Sequence, residues 1–382
     1  MNKCKLKVEL YYALMPLKEQ LIIGHEKVSA KEILLIKISD KSGFYGWGEC
    51  APLRGVHPYS FEECVDLAYD FAEDFDHFEI DPQKFSPEAP FAGLIALDNE
   101  AADEADDEAD EADEADEADE ADEEETPPAL LFAFEQALWS WYFNKYPKQK
   151  EKYFITTPTS KLRVHKLINN LQKLPHASEL SSKHPEIYKI KVARKGVSLQ
   201  EELSLLENFI KNNAHPEDQF IFDANGGFTL ESCQAFLEGV SKFLPLERIR
   251  YLEDPFKDKG ELSQSLPLKV AYAIDDLFLE YLNNLADIPA SVSTIIIRPT
   301  LLSLGALCTL LQEVRPPLQV VFSSTYDTHL TLNFYESLAS LKCLHPLLGR
   351  SHGLDTSKYT LGDPFSATTP TTPTPKLISK LL

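Results

Sequence analysis

The chain has 382 residues, of which 43% are hydrophobic, 10% aromatic and 26% charged, and this content excludes both a disordered chain and a disulfide-stapled mini-domain. The net charge is −24, but 19 of the 61 acidic residues lie in 98–125, a segment without Lys or Arg. The remaining 42 acidic residues nearly balance the 37 basic ones, so the sequence has no basic stripe and we expect no nucleic-acid partner.

The cysteines and the apolar runs indicate the compartment. Six cysteines are scattered without a CxxC spacing, at Cys4, Cys50, Cys64, Cys233, Cys308 and Cys343. This pattern favours small buried side chains in a reducing compartment over a disulfide framework or a zinc site. No apolar run reaches the ~18 residues that cross a bilayer, and Glu9 interrupts the N-terminal run early, without a cleavage signal after it. We therefore expect a cytoplasmic protein with no membrane partner, and the oligomeric state stays open.

The first part of the chain, 1–145, is predicted to be an α+β domain. Leu6–Met15 and Glu32–Ser39 are rich in Leu, Ile, Val and Tyr, which is typical of antiparallel strands. Three glycines predict a turn directly before Glu49. They are Gly43, Gly46 and Gly48.

Helical spacing follows these strands. A helix is predicted over 60–75, where Ser60 as N-cap and Glu63 three residues later form a capping box, and a strongly apolar helix is predicted over 129–143. Between them, 98–125 is an Asp-Glu-Ala repeat that repels itself and has nothing to bury, so we expect a solvated loop expansion that is disordered or partly helical. Binding of cations or a basic partner by this tract is the alternative.

From residue 160 to 365, predicted strands alternate with predicted helices. The strands are Val164–Ile168, Ile187–Val192, Gln219–Phe222, Ile249–Leu252, Val270–Ile274, Thr294–Ile297 and Leu318–Phe322. Helices between them include Ser198–Lys211, Thr229–Phe243 and Ser303–Val314. This alternation predicts an α/β protein, a TIM-type (β/α)7β barrel preceded by the N-terminal α+β capping domain. The Pro/Thr-rich segment 366–382 is predicted to be a C-terminal tail.

Polar residues stand at the end of successive predicted barrel strands, where active sites of such barrels lie. In chain order they are Lys189 and Lys191, Asp223 and Asn225, Glu253, Asp275, and Arg298. Residues two apart on a strand share a face, so both lysines can point into the barrel. Taken singly, each motif is equally typical of a solvated strand edge, a turn or a helix cap. Together, three carboxylates on neighbouring strand ends offer the oxygen ligands that Mg²⁺ requires.

These motifs carry a family resemblance. The order KIK, DAN, EDP, DD and RP resembles the enolase superfamily, in its muconate-lactonizing-enzyme-like branch. The segment GWGECAPLRGVHPYSFEE at 46–63, the pair Ser323-Ser324 and HGLDT at 352–356 are similar to the o-succinylbenzoate synthases within that branch. The resemblance covers nearly the whole chain except the acidic tract and the last ~15 residues.

The resemblance implies a division of labour among the strand-end residues. Asp223, Glu253 and Asp275 would ligate Mg²⁺, Lys191 would be the general acid and base, and Lys189 would assist it. The implied chemistry is abstraction of a proton α to a carboxylate, which gives an enediolate that the metal stabilises.

Two residues depart from the family pattern, and one of them is Asp276, where the family often has a glutamate. The family usually has a lysine before the proline on strand six, whereas this chain has Arg298. Because arginine stays protonated, Arg298 cannot act as a second base, which argues against the racemases and epimerases of the superfamily. A one-base dehydration needs only a positive charge there, held over a planar intermediate.

The resemblance also implies a substrate and residues that bind it. The candidate substrate-binding residues are Asn225, Ser323, Ser324, Arg54, His57 and Gly353. The implied reaction is the Mg²⁺-dependent dehydration of 2-succinyl-6-hydroxy-2,4-cyclohexadiene-1-carboxylate, a small-molecule carboxylate, in menaquinone biosynthesis. The alternatives are another one-base lyase or cycloisomerase of the superfamily and a non-catalytic scaffold that acts through the acidic tract.

Overall fold

The computed structural model describes most of the chain. The described residues are 3–23, 25–96, 126–155, 163–173, 184–264, 267–282, 284–344, 346–349, 351–365 and 376–377. The acidic tract predicted at 98–125 lies outside them, and of the tail predicted at 366–382 only 376–377 are described. No helix within the described ranges is long and apolar enough to cross a membrane.

The N-terminal part contains an antiparallel sheet. Its strands are β1 (Cys4–Ile23), β2 (Glu26–Asp40), β3 (Tyr45–Cys50), β4 (Phe78–Ile80) and β5 (Leu94–Ala96), in the order β3-β2-β1-β4-β5. The helices beside it are α1 (Phe61–Asp74), α2 (Pro128–Lys145) and α3 (Lys150–Tyr153), with single 3₁₀ turns at Phe75–His77, Pro90–Gly93 and Pro147–Gln149. The capping box predicted at Ser60 and Glu63 is confirmed at the start of α1.

Strand β2, which lies between β3 and β1, is buried on both faces. Leu34 and Ile36 pack in the same cluster as the apolar residues of α2, whereas Ile33 and Leu35 pack in a second cluster with Leu330, which lies near the barrel. Successive side chains of a strand point to opposite faces, so this continuous apolar run serves two layers at once. This strand therefore packs against α2 on one face and toward the barrel on the other.

The turn predicted from three glycines is wrong for two of them. Gly43 has φ +85° and lies in the turn before β3, but Gly46 and Gly48 lie within β3 and face α2. A Cβ atom at Gly48 would lie 1.7 Å from the carbonyl oxygen of Ala133, and one at Gly46 would lie 2.2 Å from the backbone of α2. These two glycines allow the helix backbone to contact the strand directly.

The second part is a parallel barrel. Its strands are β6 (Arg163–Val164), β7 (Lys166–Ile168), β8 (Ile187–Lys191), β9 (Gln219–Asp223), β10 (Ile249–Glu253), β11 (Tyr272–Ile274), β12 (Val292–Ile297), β13 (Gln319–Phe322) and β14 (Ser351–His352). Strands β7 to β13 form one sheet in chain order, and β14 pairs with β6. Because Gly353 N–H also donates to the carbonyl oxygen of Phe322, β14 connects β13 back to the first strand. The predicted α/β barrel architecture is confirmed.

Helices follow several of the barrel strands. They are α4 (Leu199–Asn213), α5 (Leu230–Val240), α6 (Lys259–Leu262), α7 (Leu304–Glu313) and α8 (His329–Ala339), with 3₁₀ segments at Leu171–Lys173, Leu246–Arg248, Asp276–Tyr281, Leu285–Asp287, Pro299–Leu301 and Ser357–Tyr359. The last described strand, β15 (Lys376–Leu377), returns to the N-terminal sheet and pairs with Tyr11 and Tyr12 of β1.

A layer of apolar side chains fills the middle of the barrel. One residue from each of six strands forms a cluster of its own: Ile187, Ile221, Tyr251, Ala273, Ile296 and Val321. Two residues further along each strand, toward its C-terminal end, the side chain points to the same interior face. This register determines which residues form the next layer, where the barrel opens.

A buried ion pair joins the N-terminal sheet to the barrel. Lys31 of β2 is 1% exposed, and its ammonium group donates to Oδ1 of Asp327 at 2.9 Å and to the carbonyl oxygen of Thr325 at 2.8 Å. Burial alone would raise the pKa of the Asp327 carboxyl, but the charge of Lys31 outweighs it and lowers that pKa. The pair therefore holds the loop after β13 against the sheet.

Two buried carboxyl groups make further contacts between the two parts. Glu49 accepts a hydrogen bond from Thr328 Oγ1 at 2.6 Å, and burial, together with the nearby Asp327, raises the pKa of Glu49 to about 7. Glu135 of α2 accepts hydrogen bonds from the backbone N–H groups of Leu304 and Gly305 at the start of α7. A carboxylate at a helix N-terminus satisfies donors that have no partner within the helix.

We predict that Lys31→Met lowers the free energy of unfolding by about 3–5 kcal/mol, because it leaves the buried carboxylate of Asp327 without its cation. The measurement is urea denaturation followed by circular dichroism. The matched control is Lys7→Met, which removes an exposed ion pair with Glu9 and should change the same quantity by no more than about 1 kcal/mol. Equal effects of the two substitutions would contradict the structural role of Lys31.

Candidate active site

A layer of charged side chains lies directly above the apolar layer of the barrel. Each member stands two residues beyond an apolar-layer residue of the same strand or its continuation: the charged residues Lys189, Asp223, Glu253, Asp275 and Arg298, and one uncharged residue, Ser323. Neighbouring strands place them in register, since Glu253 of β10 pairs with Asp223 of β9. The sequence predicted most of these residues at the ends of successive barrel strands, and the structure brings them together on the interior face.

The two lysines of β8 converge on the carboxylates of the next two strands. The Lys189 ammonium lies 3.0 Å from Oδ2 of Asp223 and 2.5 Å from Oε1 of Glu253. The Lys191 ammonium lies 2.7 Å from the same Asp223 oxygen and donates to Oδ1 of Asn225 at 3.0 Å. Lys189 is buried between the carboxylates, whereas Lys191 is partly exposed to the cavity above them.

Charge and burial shift the pKa values of this cluster in opposite directions. Burial would raise the pKa of Asp223, but Lys189 and Lys191 outweigh it and hold that pKa well below its usual range. For Glu253, burial dominates and raises the pKa to about 8, against the opposing charge of Lys189. Burial would lower the pKa of Lys189, but Asp223 and Glu253 raise it instead, so Lys189 stays charged.

Arg298 directly follows β12 and lies across the barrel from the two lysines of β8. Its Nη2 atom is 2.5 Å from Oδ2 of Asp275 and 3.0 Å from Oδ1 of Asp276. Burial opposes its charge, but these two carboxylates outweigh burial and raise the pKa of Arg298. Arg298 is therefore a fixed positive charge on its side of the cavity.

Asp254 holds the segment that follows β11 in place. Its two carboxylate oxygens accept hydrogen bonds from the backbone N–H groups of Asp275 and Asp276, both at 2.9 Å. Burial and the charge of Asp275 raise the pKa of Asp254 to about 7. Asp254 therefore links the C-terminal ends of β10 and β11, a role that no local sequence pattern indicates.

Strained backbone conformations occur beside the same strand ends. In the described part of the chain, the residues other than glycine with positive φ are Ala193, Asn225, Asp254 and Tyr326. Each follows a barrel strand within a few residues, after β8, β9, β10 and β13 respectively. Such conformations cost about 1–3 kcal/mol each and cluster at functional sites.

Part of this layer lines a large cavity of about 960 Å³: Lys189, Asp275, Arg298 and Ser323 do, whereas Asp223 and Glu253 lie beneath Lys189 and Lys191 and do not. Of the predicted substrate-binding residues, Asn225, Ser323, Ser324 and Gly353 line it. Ser324 Oγ already contacts Thr356 Oγ1 at 2.6 Å, which fixes its orientation. A cavity of this size is within the range of small-molecule sites.

Two predicted substrate-binding residues do not line this cavity. His57 is buried, its Nδ1 accepts from the Leu53 N–H at 2.9 Å and its Nε2 lies 3.3 Å from Thr300 Oγ1, so both ring nitrogens are used within the protein. Arg54 is exposed and lies 3.9 Å from Glu32. The residues of that loop which do line the cavity are Leu53, Gly55 and Val56.

Sequence reasoning missed several cavity-lining residues. They are Glu19–Ile23 at the end of β1, His165, Asn169, Asn170, Arg194, Lys195, Tyr326, Asp355 and Tyr359. The one usable sequence signal among them was the apolar run Leu21–Ile23. In the folded chain Ile22 of this run is 72% exposed, and exposed apolar side chains are typical of binding sites. The other positions depend on contacts between segments far apart in sequence.

The donor set of the charged layer fits an oxygen-ligated divalent cation. As the side chains stand, no three His, Cys, Asp or Glu groups among the described residues are arranged to hold a metal, because Lys189 lies between Asp223 and Glu253 and Arg298 pairs with Asp275. However, Oε2 of Glu253 is buried and accepts no hydrogen bond from any described residue. A divalent cation bound at this position would give that buried oxygen the partner it lacks.

Comparisons with known proteins agree with this architecture. No family model matches the sequence, and no curated protein matches it. Among solved structures, an o-succinylbenzoate synthase from Thermosynechococcus elongatus with Mg in its active site has a TM-score of 0.59 at 16% identity, covering 87% of this chain and 89% of that chain.

Two further solved structures are similar to a comparable extent. A dipeptide epimerase from Methylococcus capsulatus, in complex with Mg and L-Arg-D-Lys, has a TM-score of 0.65 at 16% identity and covers 95% of this chain and 93% of its own. A member of the enolase superfamily from Enterococcus faecalis has a TM-score of 0.62 at 17% identity, with 95% and 89% covered. The chain therefore has the fold of the enolase superfamily, as the resemblance of its motifs predicted.

Proposed function

We propose that the protein is an o-succinylbenzoate synthase, which dehydrates 2-succinyl-6-hydroxy-2,4-cyclohexadiene-1-carboxylate to o-succinylbenzoate in menaquinone biosynthesis. The observation that carries this proposal is the asymmetry of the cavity. Two lysines lie on β8. On the opposite side, Arg298 follows β12 and is held by Asp275 and Asp276. A base is therefore present on one face of a bound substrate only, which favours a lyase over an epimerase.

In this proposal, Lys191 moves the proton. Its neutral amine takes the ring hydrogen α to the carboxylate, and the ammonium that results gives a proton to the departing 6-hydroxyl group, which leaves as water. The electron pair of the broken C–H bond becomes part of the aromatic ring. No oxidant or reductant is needed, because the loss of water alone completes the aromatic ring.

The other charged residues hold the substrate and its developing charge. Lys189 stays protonated between Asp223 and Glu253 and keeps positive charge beside Lys191. Arg298 supplies positive charge from the opposite side, over the planar ring. Asp223, Glu253 and Asp275 would hold Mg²⁺, which supplies Lewis-acid stabilisation of the substrate carboxylate when bound.

A second candidate within the same chemistry is another one-base lyase or cycloisomerase that acts on a different carboxylate. The cavity supports this candidate too, because part of its lining comes from the end of β1 (Glu19–Ile23) and from the loop after β3 (Leu53, Gly55 and Val56), and residues outside the charged layer determine which substrate fits. The arrangement of the lysines and Arg298 is the same for both candidates.

The direct test is a spectrophotometric assay of the purified protein with 2-succinyl-6-hydroxy-2,4-cyclohexadiene-1-carboxylate, first with Mg²⁺ and then with EDTA. We expect aromatisation with Mg²⁺ and at least a hundredfold lower rate with EDTA. Without the metal, nothing held by Asp223, Glu253 and Asp275 neutralises the negative charge that develops on the substrate when its α proton leaves. No turnover by the folded, Mg²⁺-loaded protein would contradict the substrate and favour the second candidate.

We predict that Lys191→Ala lowers kcat by about 10²–10⁴-fold, the contribution typical of a positioned acid–base group, while the circular dichroism spectrum stays unchanged. The matched control is Lys211→Ala, which removes an exposed lysine paired with Glu207 on α4, far from the cavity lining. This control should retain the wild-type rate. A folded Lys191→Ala variant with a rate near that of the wild type would exclude Lys191 as the base.

A further inference from the structure

A second, smaller cavity of about 210 Å³ lies beside the main one. Most of its wall is apolar and comes from three places: the loop after β3, the 3₁₀ segment after β11, and β12 with the segment after it. Ile296 and Ile297 of β12 belong to this wall, and the other apolar residues are Val56, Phe278, Leu279, Leu282, Leu301 and Leu302. We call this cavity the side pocket.

The side pocket and the main cavity share part of their walls. Gly55, Val56, Asp275, Asp276 and Arg298 line both of them. The Arg298 ion pairs with the two aspartates therefore stand at the boundary, with the charged layer on one side and the apolar wall on the other. A ligand with a charged end and an apolar end matches this gradient of polarity.

The size and the exposure of the side pocket also indicate a ligand. An apolar cavity of about 150 Å³ is known to hold benzene, so 210 Å³ accommodates a phenyl or branched-alkyl group. Leu279 at the side pocket is 50% exposed, one of few large apolar side chains so exposed among the described residues. Exposed apolar surface beside a polar cavity is typical of binding sites.

We propose that the side pocket is a subsite of the same active site and binds an apolar group of the substrate, of phenyl or branched-alkyl size, while the substrate carboxylate lies in the main cavity. This inference rests on the proposed function of the main cavity. For the ring substrate proposed above, the group would be the diene edge of the ring. The substrate class is then a carboxylate that carries an apolar group, rather than a fully polar acid.

The test measures binding of small carboxylates to the full-length protein by isothermal titration calorimetry in the presence of Mg²⁺. The probes are two matched pairs, acetate with phenylacetate and propanoate with 3-phenylpropanoate. In at least one pair, the aryl acid should bind about tenfold more tightly or better, as burial of one ring predicts. Equal binding within both pairs, or no detectable binding of either aryl acid, would overturn the subsite.

Two variants locate the preference in the side pocket. Leu302→Trp fills it and should remove the aryl preference, and Leu279→Ser should reduce that preference about threefold or more. The matched control is Leu14→Ser, which changes a leucine of 42% exposure on β1, outside both cavities, and should leave the preference unchanged. An aryl preference that persists in both side-pocket variants would place the ring elsewhere and overturn the proposal.

The same titrations with Lys191→Ala separate this proposal from the proposed function. Binding of an apolar group does not need the base, so the aryl preference should remain in that variant. If the turnover assay fails while the aryl preference is present and sensitive to Leu302→Trp, the reaction is wrong and the subsite stands. If turnover succeeds without an aryl preference, the subsite is wrong and the reaction stands.

Discussion

The strict alternation of side chains along the parallel strands is the constraint on which the site depends. Ile187, Ile221 and Tyr251 point into the barrel, and so must the residues two positions later, Lys189, Asp223 and Glu253. A shift of one strand by a single residue would turn its charged side chain outward and its apolar neighbour into the site. The apolar layer therefore specifies the position of the charged layer above it.

The charged layer in turn is stable only because its members compensate one another. Lys189 lies between Asp223 and Glu253, and Arg298 lies between Asp275 and Asp276, so each buried cation has two carboxylates. Removing one partner from such a cluster is costly, whereas a divalent cation can replace the charge of an ammonium group. The same electrostatic balance thus supports folding and the proposed chemistry.

Much of the fold and the charged layer could be predicted from the sequence, because strand spacing and two-residue alternation are local signals. Arg298 is an example because it ends an apolar run, and Lys189 is another because it alternates with apolar residues along its strand. His57 could not be placed, because its ring nitrogens are satisfied by Leu53 and by Thr300 from a distant barrel loop. Gly48 was mistaken for a turn residue for a related reason: its role is contact with a helix 80 or more residues later. Local patterns do not encode such long-range contacts.

The most direct test of this account is a titration of Mg²⁺ into the full-length protein and into its Glu253→Gln variant by isothermal titration calorimetry. The comparison cancels weak binding by the acidic tract, which both proteins contain. The account predicts that the wild type binds one more ion per chain than the variant, since the variant loses one of three carboxylates and the buried Oε2 that accepts no hydrogen bond. Identical stoichiometry and affinity in the two proteins would show that the charged layer is not a metal site.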